Sequence, residues 1–140
     1  MSKIVLISCA SKKLTRKTRA KDLYISPLFK LNLMFAHSLK PDKIFILSAK
    51  YGLVDLEQEL EPYNQSLKTM SLPEIKKWTE KVKGQMKGKI NFESDEVIFL
   101  AGEKYRMFLL PFFRKVSIPL KGLSIGKQLQ YLKNKISYAK

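Results

Sequence analysis

Lys3-Ile4-Val5-Leu6-Ile7-Ser8 carries four consecutive apolar residues and none of the polar–apolar alternation of a half-exposed strand. A strand that is apolar on both faces belongs inside a parallel sheet covered by helices on either side. The chain repeats this signal. Ser26-Pro27 opens a helix, with Ser as cap and Pro at the first helical position. Leu28, Leu31, Phe35 and Leu39 give that helix a core-facing stripe, and Pro41-Asp42 ends it. A second strand runs from Lys43 to Leu47. Between Ser48 and Leu67 the chain reads as irregular and collects the acids Asp55, Glu57, Glu59 and Glu61, with Pro62 breaking any helix there. Ser71-Leu72-Pro73-Glu74 is a capping-box pattern that starts a helix holding Ile75, Trp78 and Val82. Glu96 to Ala101 is a third strand. Gly102-Glu103 turns into a helix carrying Tyr105, Phe108 and Leu109 that ends near Pro111. Lys115 to Ile118 is a fourth, short strand. Ser124 caps a final helix with Ile125, Leu129, Leu132 and Ile136 on one face.

Strands alternating with helices predict an α/β fold: one layered domain over residues 1–140, with a mostly parallel short sheet of about four strands flanked by helices. The length suits a single core. Apolar residues make up 45% of the chain, which argues against disorder. No apolar run approaches the roughly 20 residues that span a bilayer, and a strand beginning at residue 3 is expected to leave no room for a signal peptide. Cys9 is the sole cysteine and His37 the sole histidine, so neither a disulfide framework nor a structural zinc site is expected. The expectation is a cytoplasmic protein with no metal, no cofactor and no membrane partner.

The net charge is +15, and part of it is concentrated. Lys12, Lys13, Arg16, Lys17, Arg19 and Lys21 follow the first strand with no acid before Asp22. A basic loop at 12–21 leaving a strand end suits a polyanion, whose bound counterions are released as its phosphates are neutralised. The same run also suits a solvated charge face. The clustering favours nucleic acid as partner, ahead of a membrane.

In open α/β sheets, ligands bind beyond the carboxyl ends of the strands near a topological switch point. Three segments leave such ends: 8–13, 48–52 and 102–105. All are rich in Ser, Gly, Lys and Tyr. Ser8-Cys9-Ala10-Ser11-Lys12-Lys13 suits either a phosphate-binding turn or an ordinary loop with solvated lysines, and it lacks P-loop spacing. Cys9 would need an activating base, and His37 sits within the first helix, so a small buried cysteine is the plainer account. Lys50 suits a phosphate-binding cation or, if desolvated, a nucleophilic amine. Tyr51 can stack on a base or plug the edge of the core. Glu103 is a candidate general base, although an acid in a helix's first turn is stabilising in its own right. The acids at 55–61 lack EF-hand spacing.

Leu47-Ser48-Ala49-Lys50-Tyr51-Gly52-Leu53, Glu61-Pro62-Tyr63 and Leu100-Ala101-Gly102-Glu103-Lys104-Tyr105 resemble segments of the YaaA family of peroxide-stress proteins, as does the opening Leu6-Ile7-Ser8. Closer still is the likeness to short, uncharacterised relatives of that family. It rests on Ile7 to Lys13, Leu23 to Phe29, Leu47 to Leu53, Ala101 to Tyr105 and Pro119 to Gln128, and so covers nearly the whole chain. The resemblance implies DNA binding, protection from oxidative damage and chemistry directed at a nucleobase or its glycosidic bond. It carries over Ser8, Ser48, Tyr51, Tyr63, Glu103 and Tyr105, with Glu103 standing where YaaA has Asp. The chain is much shorter than YaaA, which puts the larger family's helix–hairpin–helix insertion in question and leaves DNA binding to the basic arm.

These readings converge on an enzyme acting on a nucleobase or N-glycosidic bond in DNA, resembling a glycosylase or lyase of DNA repair. Glu103, Lys50 and Tyr51 are the expected catalytic residues. Ser8, Ser48, Tyr63 and Tyr105 would bind the substrate, and Lys12, Lys13, Arg16, Lys17 and Arg19 the phosphates. Two alternatives stand beside it: a non-catalytic DNA-binding stress protein, and an enzyme on a free nucleoside or nucleotide.

Overall fold

The structure is a computed structural model that describes residues 2–139, with side chains described as far as Ile136. Its centre is β1 (Lys3–Ser8), in which Ile4, Val5, Leu6 and Ile7 are all but completely removed from water. Burial on that scale requires both edges of the strand to be paired. β1 runs parallel to β3 (Lys43–Ser48) on one side and to β6 (Glu96–Leu100) on the other. β4 (Gly52–Asp55) folds back antiparallel on β3, and β7 (Lys115–Ser117) adds a parallel edge beyond β6. The sheet order is β4-β3-β1-β6-β7.

The expected α/β architecture is present, with five strands in the main sheet where about four are expected. The additional strand is β4, within the stretch that reads as irregular. A separate two-stranded ribbon joins β2 (Thr18–Arg19) to β5 (Glu59–Leu60). The basic segment is therefore built into the fold. Ala20 N–H donates to Gln58 O and Lys21 N–H to Leu56 O, and the one-turn helix α1 (Ala20–Leu23) buries Ala20 and Leu23 completely.

α2 (Pro27–Ser38) connects β1 to β3. Ser26 caps it by accepting from Phe29 N–H at 3.1 Å, and Pro27 stands at its first position. α3 (Leu72–Met86) connects β3–β4 to β6. Its capping box between Ser71 and Glu74 is complete, and it buries Ile75, Trp78, Thr79, Val82 and Met86. From β1 the chain steps one way across the sheet to β3, then back past β1 to β6. Right-handed crossovers in opposite directions place α2 and α3 on opposite faces. α5 (Ile125–Ala139) packs on α2, burying Leu132. The helix expected from Gly102 to Pro111 is only the single turn α4 (Glu103–Arg106), followed by a 3₁₀ turn at Leu110–Phe112. Among the described residues no helix is long and apolar enough to cross a membrane.

The β3–β4 turn depends on Gly52, whose φ of 79° lies in the left-handed region. Gln85 of α3 occupies the space that a Cβ there would need. Its carboxamide accepts from Leu53 N–H at 2.8 Å and donates to Tyr51 O at 3.0 Å, fastening the turn to the helix. Gly52→Ala should cost roughly 1–2 kcal/mol from the backbone conformation alone, and more from displacing Gln85. In urea titrations, Gly52→Ala combined with Gln85→Ala should lose less than the sum of the single variants, because both break the same contact.

Candidate functional site

A cleft of about 840 Å³ opens beyond the carboxyl ends of β1 and β6. It lies at the switch point, where the connections leave in opposite directions. Segments 8–13 and 100–106 form its floor and one wall. The amino-terminal half of α2, loop residues from 64 to 68, and the start of α5 with the turn before it complete it. The volume falls within the ~300–1,000 Å³ typical of small-ligand sites.

Ser8 ties the two strand ends together, its Oγ accepting from Gly102 N–H at 3.3 Å. One residue on, Cys9 is half-buried in the cleft lining, and its Sγ lies 3.3 Å from Tyr105 Oη. The Tyr105 hydroxyl also accepts from Leu67 N–H at 3.4 Å. Burial, reinforced by the neighbouring Cys9, pushes the Tyr105 pKa up, so the phenol keeps its proton and can donate to the sulfur. Glu103 enters the cleft as an exposed carboxylate in the first turn of α4. Arg106 is steadied beside it by a 2.7 Å hydrogen bond from Nη1 to Ala101 O.

Lys12 and Lys13 line the same cleft. Lys13 is half-buried, with Nζ 4.4 Å from the centre of the Tyr63 ring. Burial lowers its pKa, partly offset by Cys9. Lys50, the amine singled out from the sequence, is exposed, lies outside the cleft lining and rests over the Tyr51 ring at 5.3 Å. The desolvated amine of the cleft is thus Lys13. The sequence does not show this, because the Tyr63 ring on which Lys13 rests is 50 residues further along the chain.

Ser48, Tyr51 and Tyr63 lie outside the cleft lining. Ser48 is completely buried. Its Oγ accepts from Tyr51 N–H at 3.0 Å and donates to Tyr63 Oη at 2.8 Å, while its carbonyl accepts from Trp78 Nε1 at 2.9 Å. Tyr63 and Tyr24 share a 2.6 Å hydrogen bond between hydroxyls. Burial, with the Cys9 group beside them, raises the pKa of both. Tyr51 stands edge-on to Tyr63 and donates to Glu61 O at 3.3 Å. Tyr105 does line the cleft, but its ring is packed edge-on against Trp78. Tyr63 and Tyr105 are thus buried and hydrogen-bonded, and Tyr51 packs half-buried against Tyr63.

Of the basic arm, Arg16 and Lys17 are exposed. Arg19 and Lys21 are paired with Glu57 at 3.5 and 2.8 Å, and the Lys21 hydrogen bond holds Glu57 below the usual carboxylate range. His37 sits at the far end of α2, roughly 15 Å along the axis from the end facing Cys9. Among the described residues no cluster of three or more His, Cys, Asp or Glu side chains could hold a metal ion. Sequence reasoning also missed Asn32, which lines the cleft from α2. Inside a helix, nothing in its neighbours distinguishes it from a surface residue.

The model of a family of unknown function, DUF6884, matches residues 4–134, and the chain belongs to that family. No curated protein and no solved structure matches it.

The hydroxyls of Tyr63 and Tyr51 should behave differently when removed. Tyr63→Phe takes the acceptor from the buried Ser48 hydroxyl proton and the partner from Tyr24 Oη, and should cost about 1–3 kcal/mol in denaturant unfolding. Tyr51→Phe removes only an exposed bond to Glu61 O and should cost well under 1 kcal/mol. Equal losses would mean that this buried group does not depend on Tyr63.

Proposed function

We propose that this chain binds nucleic acid, DNA in particular, and acts in its cleft on a nucleobase or its N-glycosidic bond. The observation that carries this reading is the path of the basic segment. It begins inside the cleft at Lys12 and Lys13 and continues onto the exposed surface at Arg16 and Lys17. A substrate with one group in the cleft and a phosphate backbone outside would meet positive charge throughout. The strand-end segments similar to those of the YaaA family support the same reading.

A base inside a duplex must be turned out of the stack to be reached. In this reading, Lys12 and Lys13 hold the phosphate next to the extruded nucleotide. Glu103 orients a water at C1′ and takes its proton. The C1′–N bond breaks with its electron pair going to the base, which is then protonated, and the water oxygen becomes the new hydroxyl of the sugar. Any step requiring a neutral amine falls to Lys13 rather than Lys50, since a lowered pKa leaves more of it unprotonated. Tyr105 sets the cleft floor beneath Cys9, and Tyr63, outside the lining, supports Lys13.

Glu103→Gln should leave stability within about 1 kcal/mol, because the acid is exposed in a first helical turn. It should slow abasic-site formation in DNA carrying damaged bases by about 10²–10⁴-fold. Full turnover by that variant would remove Glu103 from the mechanism.

Arg16→Glu with Lys17→Glu should weaken DNA binding and flatten the slope of affinity against salt, in measurements across a salt series. Should affinity and slope stay unchanged while Glu103→Gln abolishes turnover of a nucleoside, the substrate is a free nucleoside or nucleotide. DNA binding that persists with no turnover of either substrate would favour a non-catalytic binding protein.

A further inference from the structure

The charged side chains that line the cleft are Lys12, Lys13, Lys68, Arg106 and Glu103, four cations against one carboxylate. None of them takes part in an ion pair among the described residues. A concave site with that excess concentrates anions. The cations fall into two groups. Lys12 and Lys13 follow β1. Lys68 belongs to the 3₁₀ turn Leu67–Thr69 and Arg106 to α4. Those two elements are fastened to each other: Lys104 Nζ donates to Lys68 O at 2.9 Å, and Leu67 N–H donates to Tyr105 Oη at 3.4 Å.

Arg106 is the most constrained of the four. It is half-buried, and Nη1 donates to Ala101 O at 2.7 Å. Ala101 directly follows β6, and the next residue, Gly102, donates its N–H to Ser8 Oγ. The guanidinium is thus anchored to the strand ends at the switch point. Among the described residues that is its one hydrogen bond, so the edge formed by Nε and Nη2 is unoccupied. Two parallel N–H groups on a fixed plane match two oxygens of a phosphate. Anchoring at Nη1 means that less side-chain freedom is lost when an anion binds. Glu103 stands three residues earlier in the same helical turn, on the same side, and lines the cleft too.

We infer that Arg106, with Lys68, forms a second phosphate site, so that the cleft holds one nucleotide unit by the phosphates on both sides of its sugar, one at Lys12 and Lys13 and the other at Arg106. The inference rests on the nucleic-acid reading of the cleft and names the unit that is held there. Every sugar inside a strand lies between two phosphates, whereas a free nucleoside monophosphate has only one and would leave one group of cations unmatched. Glu103 argues against a pyrophosphate lying across both groups. Its carboxylate repels a continuous run of anionic oxygens and suits the neutral sugar between two separate phosphates. A sugar fixed from both sides is also held in place relative to that carboxylate.

The test uses an abasic tetrahydrofuran nucleotide, so that no choice of base enters, in titration calorimetry on the whole chain. Three forms are compared: the 5′-monophosphate, the 3′,5′-bisphosphate and the 5′-diphosphate. The wild-type protein should bind the 3′,5′-bisphosphate about 10- to 100-fold more tightly than the monophosphate, the effect of charge-assisted hydrogen bonds to one more phosphate. The 5′-diphosphate should gain clearly less. Arg106→Gln should abolish the preference and leave affinity for the monophosphate unchanged. Arg106→Lys, which keeps the charge without the fork, should retain only part of it, and it carries the comparison if Arg106→Gln melts far below wild type. Equal affinity for the monophosphate and the bisphosphate, or binding of neither, overturns the second site. A gain with the 5′-diphosphate as large as with the bisphosphate overturns the flanking arrangement, and a preference that survives in both variants overturns the assignment to Arg106. The chemistry of the cleft is judged separately, by abasic-site formation with and without Glu103→Gln, and the outer surface by the salt slope of Arg16→Glu with Lys17→Glu. A failure of the second phosphate site is therefore distinguishable from a failure of the wider function.

Discussion

Ile4 to Ile7 leave water completely, which is possible only because β1 is hydrogen-bonded in parallel on both edges, to β3 and to β6. Parallel neighbours cannot be joined by tight turns, so each connection must cross over through a helix. Because the two partners lie on opposite sides of β1, the crossovers diverge. At the carboxyl end of β1 they part, and the gap between them stays open, walled by residues around 64–68 and the start of α5. The cleft is this gap. Ser8 and Gly102, ends of adjacent strands, close its base with one hydrogen bond. Its position follows from pairing alone, whatever residues line it.

What lines it is stiffened from behind. Trp78 Nε1, Ser48, Tyr63 and Tyr24 form a buried chain of hydrogen bonds that crosses from α3 through the end of β3 to the segment after the basic loop. Unpaired hydroxyls would be costly at that depth, and paired ones hold each other's geometry. The chain sets the ring of Tyr63 under Lys13 and, through α3, the ring of Trp78 against Tyr105. Cys9 and Lys13 thus rest on side chains whose rotamers are fixed by partners outside the cleft. A site on loops needs that support to keep its shape.

The elements read most easily from the sequence were those whose signal is local. The apolar runs at 4–7, 44–47 and 97–100 and the caps at Ser26 and Ser71 each specify an element within a few residues. β4 was hidden because its four residues follow a left-handed Gly52 and need Gln85, 33 positions on from Gly52, to hold the turn. The two-residue strands β2 and β5 have no pattern to detect. Of the strand-end residues, Ser8 and Glu103 line the cleft beside the switch point, whereas Ser48, Lys50 and Tyr51 lie outside its lining because β3 is on the other side of β1 and turns straight back into β4. Trp78 then seals that strand end from solvent. Lys13 over Lys50 depends on packing against residues distant in sequence, and no spacing reports that.

On the proposed reading, Lys13 is the group through which the cleft would hold an anion. Among the described residues its ammonium has no carboxylate within ion-pair distance, and burial lowers its pKa from the ordinary value of 10.5. The unfolded chain therefore holds that proton more tightly than the folded one. Lys13 weakens the fold while it is charged, and stability recovers as pH rises through its folded pKa towards 10.5. The Tyr63 ring face returns part of the lost hydration, as a cation over a π face does. A bound phosphate would return more, pulling the pKa back up and taking up a proton where Lys13 is partly neutral. Glu57 offsets half of the charge at the far end of the basic segment, where it pairs with both Arg19 and Lys21, while Lys12, Lys13, Arg16 and Lys17 have no such carboxylate among the described ion pairs. The half-buried member of that set, Lys13, is in the cleft. On that reading, the same burial that costs the free protein stability is what an anion in the cleft would offset.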